Sequence, residues 1–343
     1  MGLGAALRRI STLGLAASGA KLLSVGSLLI TSRASIGSCA LAGKPMATNQ
    51  GFTNLTPGTD VDPSFLFHLG LTLGREMTRR ASGTTFLEIS GREFGRIAVR
   101  LPPLEEQRRI AEILDTIDET IQATERVIAK LELVRIGLLE NSIPVVDLVP
   151  LKELASISVG FVGPTQMHYT TPDRGVPFLR TGNIGTGQIR HVNMRYVTHA
   201  FSVANRKSVL QEGDVVVSRV GYTGNAAVIE QHFAGANCAN MIIIRSGPLL
   251  ESSFLSLLFE SQLIGQQVQA MTAGSAQPVF NIKLVERLRV PNVGLVEQLG
   301  TVNAIHGINQ LLAAERDSVR KLIATRAGLA ADLLSSRVRT VAA

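Results

Sequence analysis

Two stretches of this chain carry the same pattern of apolar positions. Across residues 104–143, Ile110, Leu114, Ile117, Ile121, Ile128, Leu131 and Leu138 recur at spacings of four and three, with gaps of seven where a position is skipped. An α-helix returns to one face every three or four residues, so this is a coiled-coil seam. Thr124 and Arg135 interrupt it. Across residues 295–338 the seam is Ile305, Ile308, Leu312, Val319, Leu322 and Leu329, interrupted by Glu315 and Arg326. The seams share one register: Ile305 follows Leu114 by 191 residues, Leu329 follows Leu138 by 191, and the interruptions obey the same offset. Ile110, Leu114, Ile117 and Ile121 are expected to pack with Ile305, Ile308, Leu312 and Leu322. A helix of about 40 residues is about 60 Å long. Two with matching seams predict an antiparallel pair with a globular unit at each end; two independent surface helices are the alternative.

The repeat extends upstream of each helix. Ser64-Phe65-Leu66 returns as Ser253-Phe254-Leu255. Gly26, the run Leu28-Leu29-Ile30 and Arg33 match Gly213, the run Val215-Val216-Val217 and Arg219, and such runs predict buried strands. The first copy is short, with no counterpart of roughly residues 149–187. The expected fold is α+β: two mixed α/β domains separated by two long helices forming an antiparallel coiled coil, with a pseudo-twofold internal repeat. The division is a first, truncated domain over 1–103, a helix over 104–143, a complete second domain over 144–294, a helix over 295–338 and a tail over 339–343.

Charge follows this division. Residues 1–103 hold 11 basic against 5 acidic side chains and residues 144–294 hold 12 against 9, whereas residues 104–143 hold 5 against 9. A positive excess in the globular parts suits a polyanion such as nucleic acid; a generally basic surface is the plainer explanation. Trp is absent and Tyr occurs three times, so stacking of bases on aromatic platforms is not expected to be central. Cys39 and Cys238 have no C-x-x-C partner and no His at zinc spacing, which argues against a metal site and suits a reducing cytoplasm. Arg8-Arg9 before the apolar stretch Ile10–Ala20 has the look of an export leader, but Lys21 and several Ser and Gly residues break the stretch, which is too interrupted to span a membrane.

Catalytic motifs are not found. The only Pro-Pro, Pro102-Pro103, precedes Leu104 and suits the start of a helix rather than a methyltransferase N-P-P-[FY] motif. Gly221-Tyr-Thr-Gly224 lacks a G-x-G-x-x-G context and is expected to be a turn, and no P-loop is present.

The stretch Leu101-Pro-Pro-Leu-Glu-Glu-Gln-Arg-Arg-Ile-Ala-Glu-Ile-Leu-Asp115 resembles the central helical region of specificity subunits of type I restriction-modification systems, and Val290-Pro-Asn-Val-Gly-Leu-Val-Glu-Gln298 is its looser second copy. Ile10–Leu15, Ser32–Gly37 and Asn49-Gln-Gly-Phe52 resemble that family's first-domain motifs, as Pro177–Asn183 with Gly213–Arg219 resembles the complete domain. The resemblance covers about Ile10 to Leu334 and disfavours a leader, since Ile10–Leu23 then lies in the interior of a recognition domain. It implies a non-catalytic, cytoplasmic subunit that recognises a bipartite double-stranded DNA target. It implies docking to methyltransferase subunits, which use S-adenosylmethionine, and to a restriction subunit, which uses ATP; no cofactor is expected on this chain. The alternatives are a truncated remnant reading one half-target, a coiled-coil scaffold with no DNA role, and an adenine methyltransferase.

Base edges are read by forked donors or paired donor and acceptor groups: Arg for guanine, Asn and Gln for adenine. The second domain offers Arg180, Thr181 and Asn183 in a Gly-rich loop, Arg219 and Tyr222 after a strand, Ser275 and Gln277 in a second loop, and Lys283 beyond it. The first offers Arg33, Ser35, Gln50 and Thr84. The structural alternatives are an ion pair with Asp214 for Arg219 and a turn role for Asn183. The acids Glu105, Glu106, Glu112, Asp115, Asp118 and Glu119 are expected either to support the helix start or to form a docking face for the methylating subunits.

Overall fold

In a computed structural model the chain divides into two compact units, Met1–Ile128 with Ala314–Ala343, and Ala129–Ala313. The structure describes residues 2–3, 8–83, 86–144, 147–219, 225–272 and 280–340. Among these, no helix is long and apolar enough to cross a membrane.

The first unit opens with β1 (Gly2–Leu3), α1 (Thr12–Ala16), β2 (Leu28–Thr31), β3 (Cys39–Ala42) and β4 (Phe52–Leu55), followed by α2 (Pro63–Arg80), α3 (Gly91–Phe94) and the long α4 (Leu104–Ser142). Then come β5 (Leu148–Pro150), β6 (Ala155–Val159), β7 (Tyr169–Thr170), β8 (Gly175–Leu179), β9 (Arg195–Thr198), α5 (His199–Ala204), β10 (Val215–Ser218), β11 (Ala226–Val228), β12 (Asn237–Cys238) and β13 (Met241–Ser246). The order closes with α6 (Ser252–Glu260), α7 (Gln262–Thr272), α8 (Ile282–Arg287), β14 (Arg289–Pro291) and the long α9 (Leu295–Leu334). Part of each long helix belongs to each unit. The architecture is the expected α+β one.

Among the described residues the first unit holds one sheet, in the order β1-β3-β2-β4. The second holds two four-stranded sheets, β11-β10-β13-β6 and β12-β8-β9-β7, and the pair β14-β5. The β-branched run Val215-Val216-Val217 is fully buried between β11 and β13, as an apolar run without alternation requires. Residues 10–22, by contrast, supply the exposed five-residue α1, which buries no residue.

Both units are anchored on the long helices. In the first, Phe65 and Leu69 of α2 pack with Ile110, Ala111 and Leu114 of α4 and with Ala330, Leu333 and Leu334 of α9. In the second, Leu139 of α4 and Ile305 of α9 join a core that includes Phe254, Phe259 and Phe280. The helix segments are antiparallel within each unit. In the first, Glu106, Arg109 and Asp118 meet Arg339, Thr340 and Arg326; in the second, Arg135 and Ser142 meet Asn309 and Thr301. Ile110, Leu114, Ile305 and Leu312 are buried, and Ile117, Ile121, Ile308 and Leu322 are half-buried.

Candidate nucleic-acid interface

The site in the second unit is built where two strands end. β8 runs into a tight turn at Thr181–Asn183, and Asn183 closes it. Its Oδ1 accepts from Arg180 N at 3.0 Å, and its Nδ2 donates to Arg190 O at 3.1 Å and Val192 O at 3.0 Å. Asn183 is 1% exposed, so its whole amide is engaged inside the loop. Thr181 is half-buried, and Gly182 faces open space.

Arg180 and Arg219 flank one segment. Ala239 N donates to Leu179 O, next to Arg180, and Arg219 N donates to Asn240 O at 3.3 Å. Arg180 Nη2 donates to Asn193 O at 2.9 Å. In both arginines Nε is buried without a hydrogen-bond partner among the described residues. A buried donor left unsatisfied is costly, of the order of 1–3 kcal/mol. The expected alternative partner of Arg219 is already taken: Asp214 is held by Arg245, Nε to Oδ1 at 2.7 Å and Nη2 to Oδ2 at 2.8 Å. That bond and the charge of Asp214 raise the pKa of Arg245.

Between the two arginines sits Asn240, exposed, with a left-handed backbone (φ +56°) that Asn tolerates well. Its paired donor and acceptor suit adenine. The sequence reading did not single it out; extending the repeat would have, since it falls opposite the Asn49-Gln-Gly-Phe52 motif. Lys283 is exposed on α8, whose start is capped by Asn281. Tyr222, Ser275 and Gln277 lie outside the described residues, as does Thr84 in the first unit.

The first unit brings Arg33 and Gln50 together, with Asn49, Gly51 and Phe86, around a shallow pocket of about 300 Å³. The Arg33 guanidinium lies 5.5 Å from the Phe86 ring centroid and 3.9 Å from Glu88. Ser35 is exposed beside them, and its carbonyl accepts from Thr31 Oγ1. The repeat pairing of Arg33 with Arg219 shifts by one residue. Arg219 O accepts from Phe280 N and Ser32 O accepts from Ile89 N, both at 3.0 Å, so Ser32 occupies the place of Arg219.

Three of the acids at the start of α4 are engaged with other elements of the unit. Asp115 accepts from Ser64 Oγ at 2.6 Å and lies 2.7 Å from His68 Nε2, Asp118 holds Arg326, and Glu106 holds Arg339 through two bonds. Glu105, Glu112 and Glu119 remain exposed. Among the described residues no group of His, Cys, Asp and Glu could hold a metal ion.

The family model of the type I restriction modification DNA specificity domain matches residues 5–133. Over 118 residues the chain is 34% identical to the type I restriction enzyme MjaIX specificity subunit of Methanocaldococcus jannaschii, covering 34% of this chain and 27% of that protein. Over 305 residues it is 21% identical to the MjaVIII specificity subunit of the same organism, covering 81% of this chain and 71% of that one. The first match thus spans about a quarter of that relative's length. A solved structure from work on complex assembly and conformational transition of the type I restriction-modification system shares the fold, with a TM-score of 0.64 and 19% identity over 93% of this chain and 84% of that one.

Proposed function

We propose that this chain is a DNA specificity subunit of a type I restriction-modification system, that it selects the DNA sequence for a larger assembly and that it performs no chemistry itself. The observation that carries this reading is the pair Arg180 and Arg219, whose buried Nε atoms have no hydrogen-bond partner among the described residues, on either side of exposed Asn240. A groove edge of DNA offers acceptors for arginine guanidinium groups and paired groups for the Asn240 amide. Residues 1–103 and 144–294 are the two target recognition domains, and residues 104–143 and 295–338 are the connecting helices. The target is bipartite double-stranded DNA. Methyltransferase and restriction subunits are the partners, in the cytoplasm; S-adenosylmethionine and ATP belong to them.

A second reading is favoured by one observation. The second unit has strands β6 to β9, and the first has no described counterpart of them. On this reading the first domain reads no bases and one half-target alone is recognised. Footprinting of the complex reconstituted with its methyltransferase and restriction subunits separates the cases. Protection of two half-targets supports the full reading, protection of one supports the second, and protection without sequence preference overturns both.

A further inference from the structure

Asn240 is held between two neighbouring segments of the second unit. Its carbonyl accepts from Arg219 N, just past β10, at 3.3 Å, and its own N–H donates to Phe161 O, just past β6, at 3.0 Å. Phe161 N donates to Cys238 O at 2.8 Å, and Phe161 forms a parallel bridge with Ala239. The chain that leaves β6 is thereby laid along the segment that carries Asn240. Gly160 permits this approach, since a Cβ there would lie 2.6 Å from Cys238 Sγ and 2.9 Å from the Cys238 carbonyl oxygen.

Extended chain sends successive side chains to opposite sides. Phe161 turns inward: its ring meets that of Phe201 edge-on, centroids 5.0 Å apart, and it packs on the core of Phe178, Val197, Phe201 and Ala239. Val162 therefore turns outward, and it is 57% exposed. Its position is fixed from both directions. The backbone before it is tied to Asn240 and Cys238, and a β-branched side chain is stiff at χ1. The exposed Asn240 amide thus has an exposed, rigid apolar group as its neighbour, one residue beyond its own hydrogen-bond partner.

That juxtaposition matches one base pair. In the major groove an A·T pair presents adenine N7 and N6–H₂, which a side-chain amide can take together, and beside them the C5-methyl group of thymine, which only an apolar group can read. We infer that Val162 is a specificity-determining residue of this interface, packing on the C5-methyl of a thymine beside the base that Asn240 reads. The inference rests on the DNA-selecting function proposed above. Burial of one methyl group corresponds to about fourfold in affinity.

The test uses the complex reconstituted with its methyltransferase and restriction subunits. Short duplexes are first enriched from a random-sequence pool. In the enriched sequence each thymine is then replaced, one at a time, by uracil, which differs only in lacking the methyl group. At one thymine the replacement should weaken binding about fourfold. The complex carrying Val162→Ala should bind the thymine and uracil duplexes equally there. Met167→Ala, at a residue 77% exposed in the same loop, should keep the full difference. A pool that yields no preferred sequence overturns both the DNA-selecting reading and this proposal. A preferred sequence that lacks thymine, or tolerates uracil at every thymine, overturns this proposal alone. So does a difference that survives in Val162→Ala or that Met167→Ala removes as well.

Discussion

Arg326 on α9 holds Asp118 on α4 through two hydrogen bonds, Nε to Oδ1 at 2.6 Å and Nη2 to Oδ2 at 3.0 Å. The same guanidinium donates to His68 Nδ1 at 3.2 Å. Arginine has only donors, so Nδ1 accepts and Nε2 carries the proton shared with Asp115. Arg135, one repeat earlier, makes the matching reach to Asn309 at 2.7 Å and pairs with Glu260. The seam interruptions are therefore cross-helix ties.

Arg326→Ala leaves Asp118 and His68 Nδ1 without this donor in a part-buried setting. A loss of about 1–3 kcal/mol is expected in the unfolding of the first unit. Arg326→Lys should recover only part of it, because a point charge cannot make the forked contact. Denaturant titration checks both; a loss equal to that of an exposed control such as Arg320→Ala would sink the idea.

Gln107 and Gln298 are each 1% exposed and make the same three bonds. Gln107 accepts from Asp62 N and donates to the carbonyls of Asp60 and Pro102. Gln298 accepts from Glu251 N and donates to those of Leu249 and Val293. Each ties the start of its long helix to the start of the helix that packs on it. Gln107→Glu keeps the shape but removes the two donated bonds, and a loss of about 2–4 kcal/mol is expected. An unchanged midpoint would show that these bonds contribute nothing.

Gly37 has φ +94°, and a Cβ there would lie 2.5 Å from the Gly74 Cα of α2. Gly37→Ala combines a backbone conformation that L-residues avoid with a backbone clash. About 1–3 kcal/mol of destabilisation is expected. A stability within error of the parent chain would contradict this close approach.

Burial pushes the Cys238 thiol up to about 12, with the charge of Asp214 adding to it, and burial pushes Cys39 up to about 11. Below pH 9 both the folded and unfolded chains keep the protons. Between pH 9 and about 12 the unfolded chain loses a proton that the folded chain retains, so stability falls as pH rises. Cys238→Ala should flatten that decline relative to the parent. At pH 8 both native thiols should label far more slowly than those of the unfolded chain, and equal rates would contradict the burial.

Arg180→Ala and Arg219→Ala should each weaken specific binding by about 1–3 kcal/mol. Asn240→Gly, which keeps the left-handed backbone and removes the amide, should relax preference at one base pair. Competition binding of the reconstituted complex against single-base variants of its target reads this out. Unchanged target choice in all three variants would remove them from the interface.

The sequence by itself determined the helices and the repeat, because helical periodicity is local and an offset of 191 leaves the same seam in both copies. It also marked Val215–Val217 and Leu28–Ile30 as strands, because unbroken apolar runs must be buried on both faces. Tertiary structure alone decided which groups meet. Asp214 lies five residues before Arg219, yet it pairs with Arg245, because β10 and β13 run antiparallel and bring those side chains together. Asn183 turned inward because its amide could satisfy three backbone groups, at Arg180, Arg190 and Val192. Arg135 and Arg326 break the seam in sequence and tie the helices in space, since their partners sit 174 and 208 residues away. Hydrogen-bond pairing depends on which distant groups share a low-dielectric contact, and no local pattern carries that information.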